Sequence, residues 1–150
     1  MYSSRFIGNK VYFVTYKTMD PLFVMDLSDE TNPKVLGELK IPGYSTYLHP
    51  YDENHIIGIG METKEIINRN SNGKVISTTA KVVGMKMALF DVSNVNTPIQ
   101  ISSVVIGDSR TTSAILTNPK ALLFSKEKSL IAIPVNNYSD DFEINASDSY

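Results

Sequence analysis

The chain has 150 residues, 42% of them hydrophobic, with 14 basic and 16 acidic side chains and a formal net charge of −2. One domain is the expectation at this length, and the mixed charges leave no basic stripe of the kind a phosphate backbone needs, which argues against a nucleic-acid partner. No apolar run approaches the roughly 20 residues that span a bilayer, and the absence of cysteine excludes disulfides, thiolate metal sites and a cysteine nucleophile.

In chain order, the apolar segments are short and rich in β-branched and aromatic residues. Val11–Tyr16, Leu22–Leu27 and Val35–Ile41 come first, then His55–Ile59, Met87–Val92 and Ile99–Ile106, and finally Ala121–Phe124 and Leu130–Val135. Each is of strand length and is bounded by Gly, Pro, Asn or Asp, which predicts strands. No window carries a sustained helical period with capping signals. The chain therefore reads as all-β and antiparallel.

An internal repeat organises these strands. Asp26, Ser28, Pro33 and Ile41 recur as Asp91, Ser93, Pro98 and Ile106, all sixty-five residues apart. Asp and Ser side chains bond nearby backbone N–H groups and end a strand, and Pro suits the start of the next one. Asp26/Ser28/Pro33 and Asp91/Ser93/Pro98 are thus expected to be structural strand–turn–strand corners and not catalytic groups. A weaker repeat aligns Asn9–Thr15 with Asn54–Gly60 and with Lys128–Pro134. Each unit then has four antiparallel strands, the composition of one β-propeller blade. The expected divisions are a blade over 5–41, a blade over 47–106, half a blade over 114–135 and a polar tail over 136–150. The second blade carries an insertion over 62–83, read as a protruding hairpin. Its Asn72-Gly73 pair is a two-residue turn signal of type I′.

The segments Pro21–Gly60, Met87–Asn94 and Phe124–Val135 resemble the bacterial secreted proteins with a C-terminal β-propeller domain, and the Asp-Val-Ser…Pro pattern resembles LVIVD-type propeller repeats. The resemblance implies an extracellular or cell-envelope location and a binding or scaffolding role with no assigned reaction. A closed propeller has four to eight blades, so about two and a half blades predict a propeller fragment. Its raw faces would pack on other blades of a parent propeller or on copies of itself.

The richest polar cluster is His49, Tyr51, Asp52, Glu53 and His55. It offers a binding surface, with calcium on Asp52 and Glu53 as a possible ligand, although the spacing matches no zinc pattern. The plainer reading is turn chemistry. Tyr44, Tyr47 and Tyr51 are expected to fill space between blades before forming an aromatic shelf. No G-x-S-x-G elbow, Walker sequence or dinucleotide fingerprint occurs. The sequence points to a non-enzymatic module for protein or glycan binding. The alternative is a propeller hydrolase or lyase whose site needs blades outside this chain.

Overall fold

A computed structural model of the chain describes residues 3–15 and 21–137. Tyr16 and all of the expected tail beyond Asn137 lie outside the described residues. The order is β1 (Ser3–Ile7), β2 (Lys10–Val14), β3 (Pro21–Asp26), β4 (Lys34–Lys40), β5 (Tyr44–Pro50), β6 (His55–Arg69), β7 (Val75–Asp91) and β8 (Ile99–Ile106). Two 3-10 turns, Ala114–Leu116 and Pro119–Ala121, lead to β9 (Leu123–Ser125) and β10 (Leu130–Ala132). Strands β1 to β4 form one four-stranded antiparallel sheet, β5 to β8 a second, and β9 with β10 a two-stranded one. The fold is all-β and partial-propeller in type.

The two corners are built alike. Asp26 Oδ1 accepts the Ser28 N–H at 2.9 Å, and Asp91 Oδ1 accepts the Ser93 N–H at 2.8 Å. One residue on, the Leu27 N–H donates to Asn9 O at 2.7 Å and the Val92 N–H to Asn54 O at 2.8 Å. The Asp ends the third strand of its sheet and the next amide ties that end to the turn between the first two strands. A basic side chain lies across from each carboxylate, Lys10 opposite Asp26 and His55 opposite Asp91. The Ser28 and Ser93 donors hold both carboxyls below the usual carboxylate range.

Strand periodicity decides what each sheet face buries. In the first sheet Tyr12, Val14, Leu22 and Val24 face the second, where Leu48, Ile56, Ala88, Phe90 and Val92 meet them in one core. The alternate residues of the second sheet, Ile57, Ile59, Met61 and Met85, face the other way and form a second core with Ile115. The second sheet is thus sandwiched, and β6 reads as a nearly continuous apolar run because both of its faces are covered. Gly58 and Gly60 fall on the first-sheet face of β6. A Cβ on Gly58 would meet Ser45 Oγ and the Phe90 ring, and one on Gly60 the Tyr44 carbonyl. The crowding that selects glycine comes from within the second sheet.

Two expectations need correction. The hairpin between β6 and β7 does not turn through a two-residue type I′ loop. The Gly73 N–H donates to Asn70 O at 2.9 Å, and the Asn70 N–H to Lys74 O at 2.9 Å. Only Gly73 in the loop has a positive φ, +76°. This is the longer loop in which a left-handed glycine follows an ordinary turn. Asn70 Oδ1 stabilises it by accepting the Asn72 and Lys74 N–H groups at 3.1 and 2.9 Å. The asparagine that matters is therefore Asn70, two residues before the expected one. The second correction is register. Ile131 and Ile133 pack against the second core, toward the second sheet, whereas their aligned counterparts Ile57 and Ile59 face away from the first. A one-residue slip reverses every side chain in a strand, so the weak repeat was aligned one residue out in the third unit.

Candidate functional site

The polar cluster lies where first strands of successive sheets meet. Arg5, on β1, reaches β5: its Nε donates to Leu48 O at 2.9 Å, and its Nη2 donates to the Tyr47 hydroxyl at 3.0 Å. The guanidinium also sits 5.5 Å from the centre of the Tyr47 ring. The Tyr47 hydroxyl in turn lies 3.1 Å from His49 Nδ1. The His49 ring meets Phe124, on β9, edge-on at 4.5 Å. Burial, with the nearby Arg5 charge, lowers the His49 pKa below its ordinary value, which favours the neutral ring that packs on Phe124.

Arg5 and His49 occupy equivalent positions. Arg5 pairs with Tyr12 across β1 and β2, and His49 with Ile57 across β5 and β6; Tyr12 and Ile57 align in the repeat. Each side chain projects from a first strand toward the next unit. One reaches Tyr47 and the other Phe124. The position is the same and the chemistry differs.

The second half of the cluster is the turn between β5 and β6. Asp52 Oδ1 accepts the Asn54 N–H at 2.9 Å and lies 2.8 Å from His55 Nδ1, while Oδ2 lies 3.3 Å from Lys126 Nζ. The Asn54 amide, with His55 and Lys126, brings the Asp52 pKa down to about 2. Tyr51 lies between the halves, with Phe124 at 5.9 Å, His55 at 6.3 Å and the Lys126 ammonium 4.8 Å from its ring centre. Of the five sequence candidates, the structure brings His49, Tyr51, Asp52 and His55 together. Glu53 is exposed and stands outside these contacts. The Asp52 oxygens that a calcium ion would use already accept an amide, an imidazole and an ammonium. Among the described residues no three His, Asp or Glu side chains are grouped to hold a metal.

Tyr44, Tyr47 and Tyr51 all pack against the second core, as space-filling residues between units do. Beside Tyr51 an open cleft of about 360 Å³ is lined by Ile57, Met87, Leu89, Ser102, Val104 and Ile131. Sequence reading missed Arg5, Phe124 and Lys126. Aligning first strands as well as corners would have placed Arg5 on His49. Phe124 and Lys126 were concealed by the register slip.

The fold and the corners define a β-propeller protein, and the β-propeller domain family matches residues 1–150; the chain belongs to that family. It is 38% identical over 144 residues to an uncharacterized protein of Methanocaldococcus jannaschii, covering 96% of this chain and 20% of the relative. It is 34% identical over 134 residues to an uncharacterized protein of Archaeoglobus fulgidus, covering 89% of this chain and 18% of the relative. The chain thus spans about a fifth of the length of these curated relatives. No solved structure matches it. Among the described residues no helix is long and apolar enough to cross a membrane.

Proposed function

We propose that this chain is a non-enzymatic propeller segment that presents a glycan-binding surface at the exterior of a prokaryotic cell. The supporting observation is the diversified first-strand position, Arg5 in one sheet and His49 in the next. The groups around it suit an acidic saccharide. Tyr51 supplies an amphipathic ring with a polar end, and Arg5 and Lys126 supply positive charge. The apolar cleft belongs to the scaffold in this reading: further strands of the third unit, or a raw face of another copy, cover it. The family resemblance supports the location, and the identified relatives, being archaeal, widen it beyond bacteria.

The test is a glycan array probed with the whole chain. Binding of uronate- or sulfate-bearing oligosaccharides over neutral ones, reduced by Tyr51→Ala and by Lys126→Glu, is the expected result. No binding, or binding unchanged by both substitutions, refutes it. The hydrolase reading draws on one observation, the Asp52–His55 contact at 2.8 Å, which resembles a carboxylate orienting an imidazole base. Turnover of chromogenic glycosides or esters that vanishes in His55→Gln would favour that reading.

A further inference from the structure

Beyond the second sheet, β6 and β7 continue as a two-stranded ribbon. Pairing runs on from Thr63 opposite Val82 to Arg69 opposite Val75, while β8 accompanies β7 only between Met85 and Asp91. The outer edge of β7 from Val75 to Val82 therefore has no neighbouring strand among the described residues. Such an edge is a template for strand addition unless it is defended. Natural edges are defended by charge, and here the charge is one-sided: residues 63–83 hold Lys64, Arg69, Lys74 and Lys81 against the single carboxylate Glu65. The rest of the chain is correspondingly acidic.

Two features point to a ligand for this edge. Lys64 and Lys81 lie directly opposite each other across the ribbon, both exposed. Like charges so placed are destabilising, and a carboxylate beside Lys81 would relieve them. The ribbon also exposes four large aliphatic side chains, Ile66 at 41%, Ile67 at 49%, Val75 at 44% and Ile76 at 65%. They are distributed over both faces, so no single flat apolar surface such as a membrane could cover them. A strand added at the edge would reach both faces at once through its alternate side chains. A second copy of the ribbon would bring lysines against lysines.

We propose that the outer edge of the β6–β7 ribbon binds an extended acidic segment of a partner protein by strand addition. The partner's acidic side chains lie on the face of Lys81 and its β-branched side chains on the face of Thr78 and Val75. The Val75–Ala80 stretch, which carries no charge, supplies the main-chain hydrogen bonds.

The experiment is fluorescence anisotropy with a labelled synthetic peptide that alternates glutamate with valine and threonine, titrated with the full chain. Saturable binding is expected, weakened about tenfold by Lys81→Glu, retained by Lys81→Arg and lost for the glutamine version of the peptide. Neighbouring strand residues point their N–H groups to opposite edges, so one of Ser77→Pro and Thr78→Pro removes an outward donor. That variant is expected to lose binding while its circular dichroism stays that of the wild type. Equal affinity for the glutamine peptide, or indifference to Lys81→Glu, overturns the proposal. So does ribbon-dependent self-association in light scattering, or binding that emerges only when residues 138–150 are removed, because the edge then has another occupant.

Discussion

The two seams of this molecule are made by the two faces of one sheet, and they differ in kind. The first, between the two four-stranded sheets, is closed by fully buried aliphatic and aromatic side chains, with Val24 and Ile56 at 0% exposure and Phe90 at 1%. The second, between the second sheet and the β9–β10 pair, has a small buried centre, mostly half-buried neighbours and an open cleft. Tyr47, His49 and Phe124 line its margin, and Arg5 reaches Tyr47 from the first sheet. A face buried on all sides is constrained to pack, whereas a partly open one is free to carry polar and aromatic groups. The proposed binding surface and the scaffold would in this way be divided between odd and even residues of the same strands.

The largest effect expected from that division is on stability. Phe90→Ala is expected to cost about 3–5 kcal/mol in urea unfolding, because the first seam cannot collapse around the cavity. Met87→Ala, half-buried beside the cleft, is expected to cost about 1 kcal/mol. Similar losses for the two would erase the distinction between the seams.

A buried charge of the first seam gives the next largest effect. Lys86 is 6% exposed; its ammonium lies 2.8 Å from Glu62 and donates to Pro42 O at 2.9 Å. The Gly43 N–H donates to Thr63 Oγ1 at 3.0 Å beside it, so the pair fastens the short link between the sheets to the base of the ribbon. Glu62→Ala leaves the ammonium buried and unpaired and is expected to cost about 3 kcal/mol. Lys86→Met with Glu62→Leu is expected to return to within about 1 kcal/mol of the wild type, since an apolar replacement of a buried pair is often neutral. A double variant no more stable than the single would show that the pair specifies the link.

A smaller effect separates the seams by pH. The His49 pKa is depressed in the folded chain, so the unfolded chain binds the proton more readily. The stabilisation is complete above the unfolded value, near 6.5, and is lost as pH falls below it toward the lower folded value. Asp52 acts in the same direction at lower pH: its contribution is present above the ordinary value of 3.8 and is lost as pH falls toward about 2. Denaturant unfolding followed from pH 7 to pH 5 is expected to lose less stability in His49→Phe than in the wild type. An unchanged slope would remove His49 from the buried contact. Smallest of all, excising Glu65–Thr79 and closing the ribbon with a short turn is expected to shift the thermal midpoint little, since every residue removed is exposed.

The strands and corners were legible in the sequence because each rests on local chemistry. Asp26 and Asp91 end their strands through their own side chains, and a run such as Ile56–Ile59 is apolar whatever surrounds it. Facing is a tertiary property and was less legible. Nothing local to Leu130–Val135 says which alternate set turns inward, and the slip there concealed Phe124. Arg5 was equally obscure because its partners are about forty residues away, at Tyr47 and Leu48. The turn at Asn72-Gly73 shows the reverse case: a strong dipeptide signal yielded to Asn70, whose side chain captures two amides and lengthens the loop.

The proposed division places recognition at the second seam and structure at the first. It is tested most directly by mapping side-chain and amide NMR shifts of the whole chain as an acidic oligosaccharide is added. Saturable shifts are expected at Tyr47, His49, Tyr51 and Phe124, with Tyr12, Val24, Ile56 and Phe90 unmoved. Shifts centred on the first seam, or an unshifted second seam at saturating oligosaccharide, would contradict it.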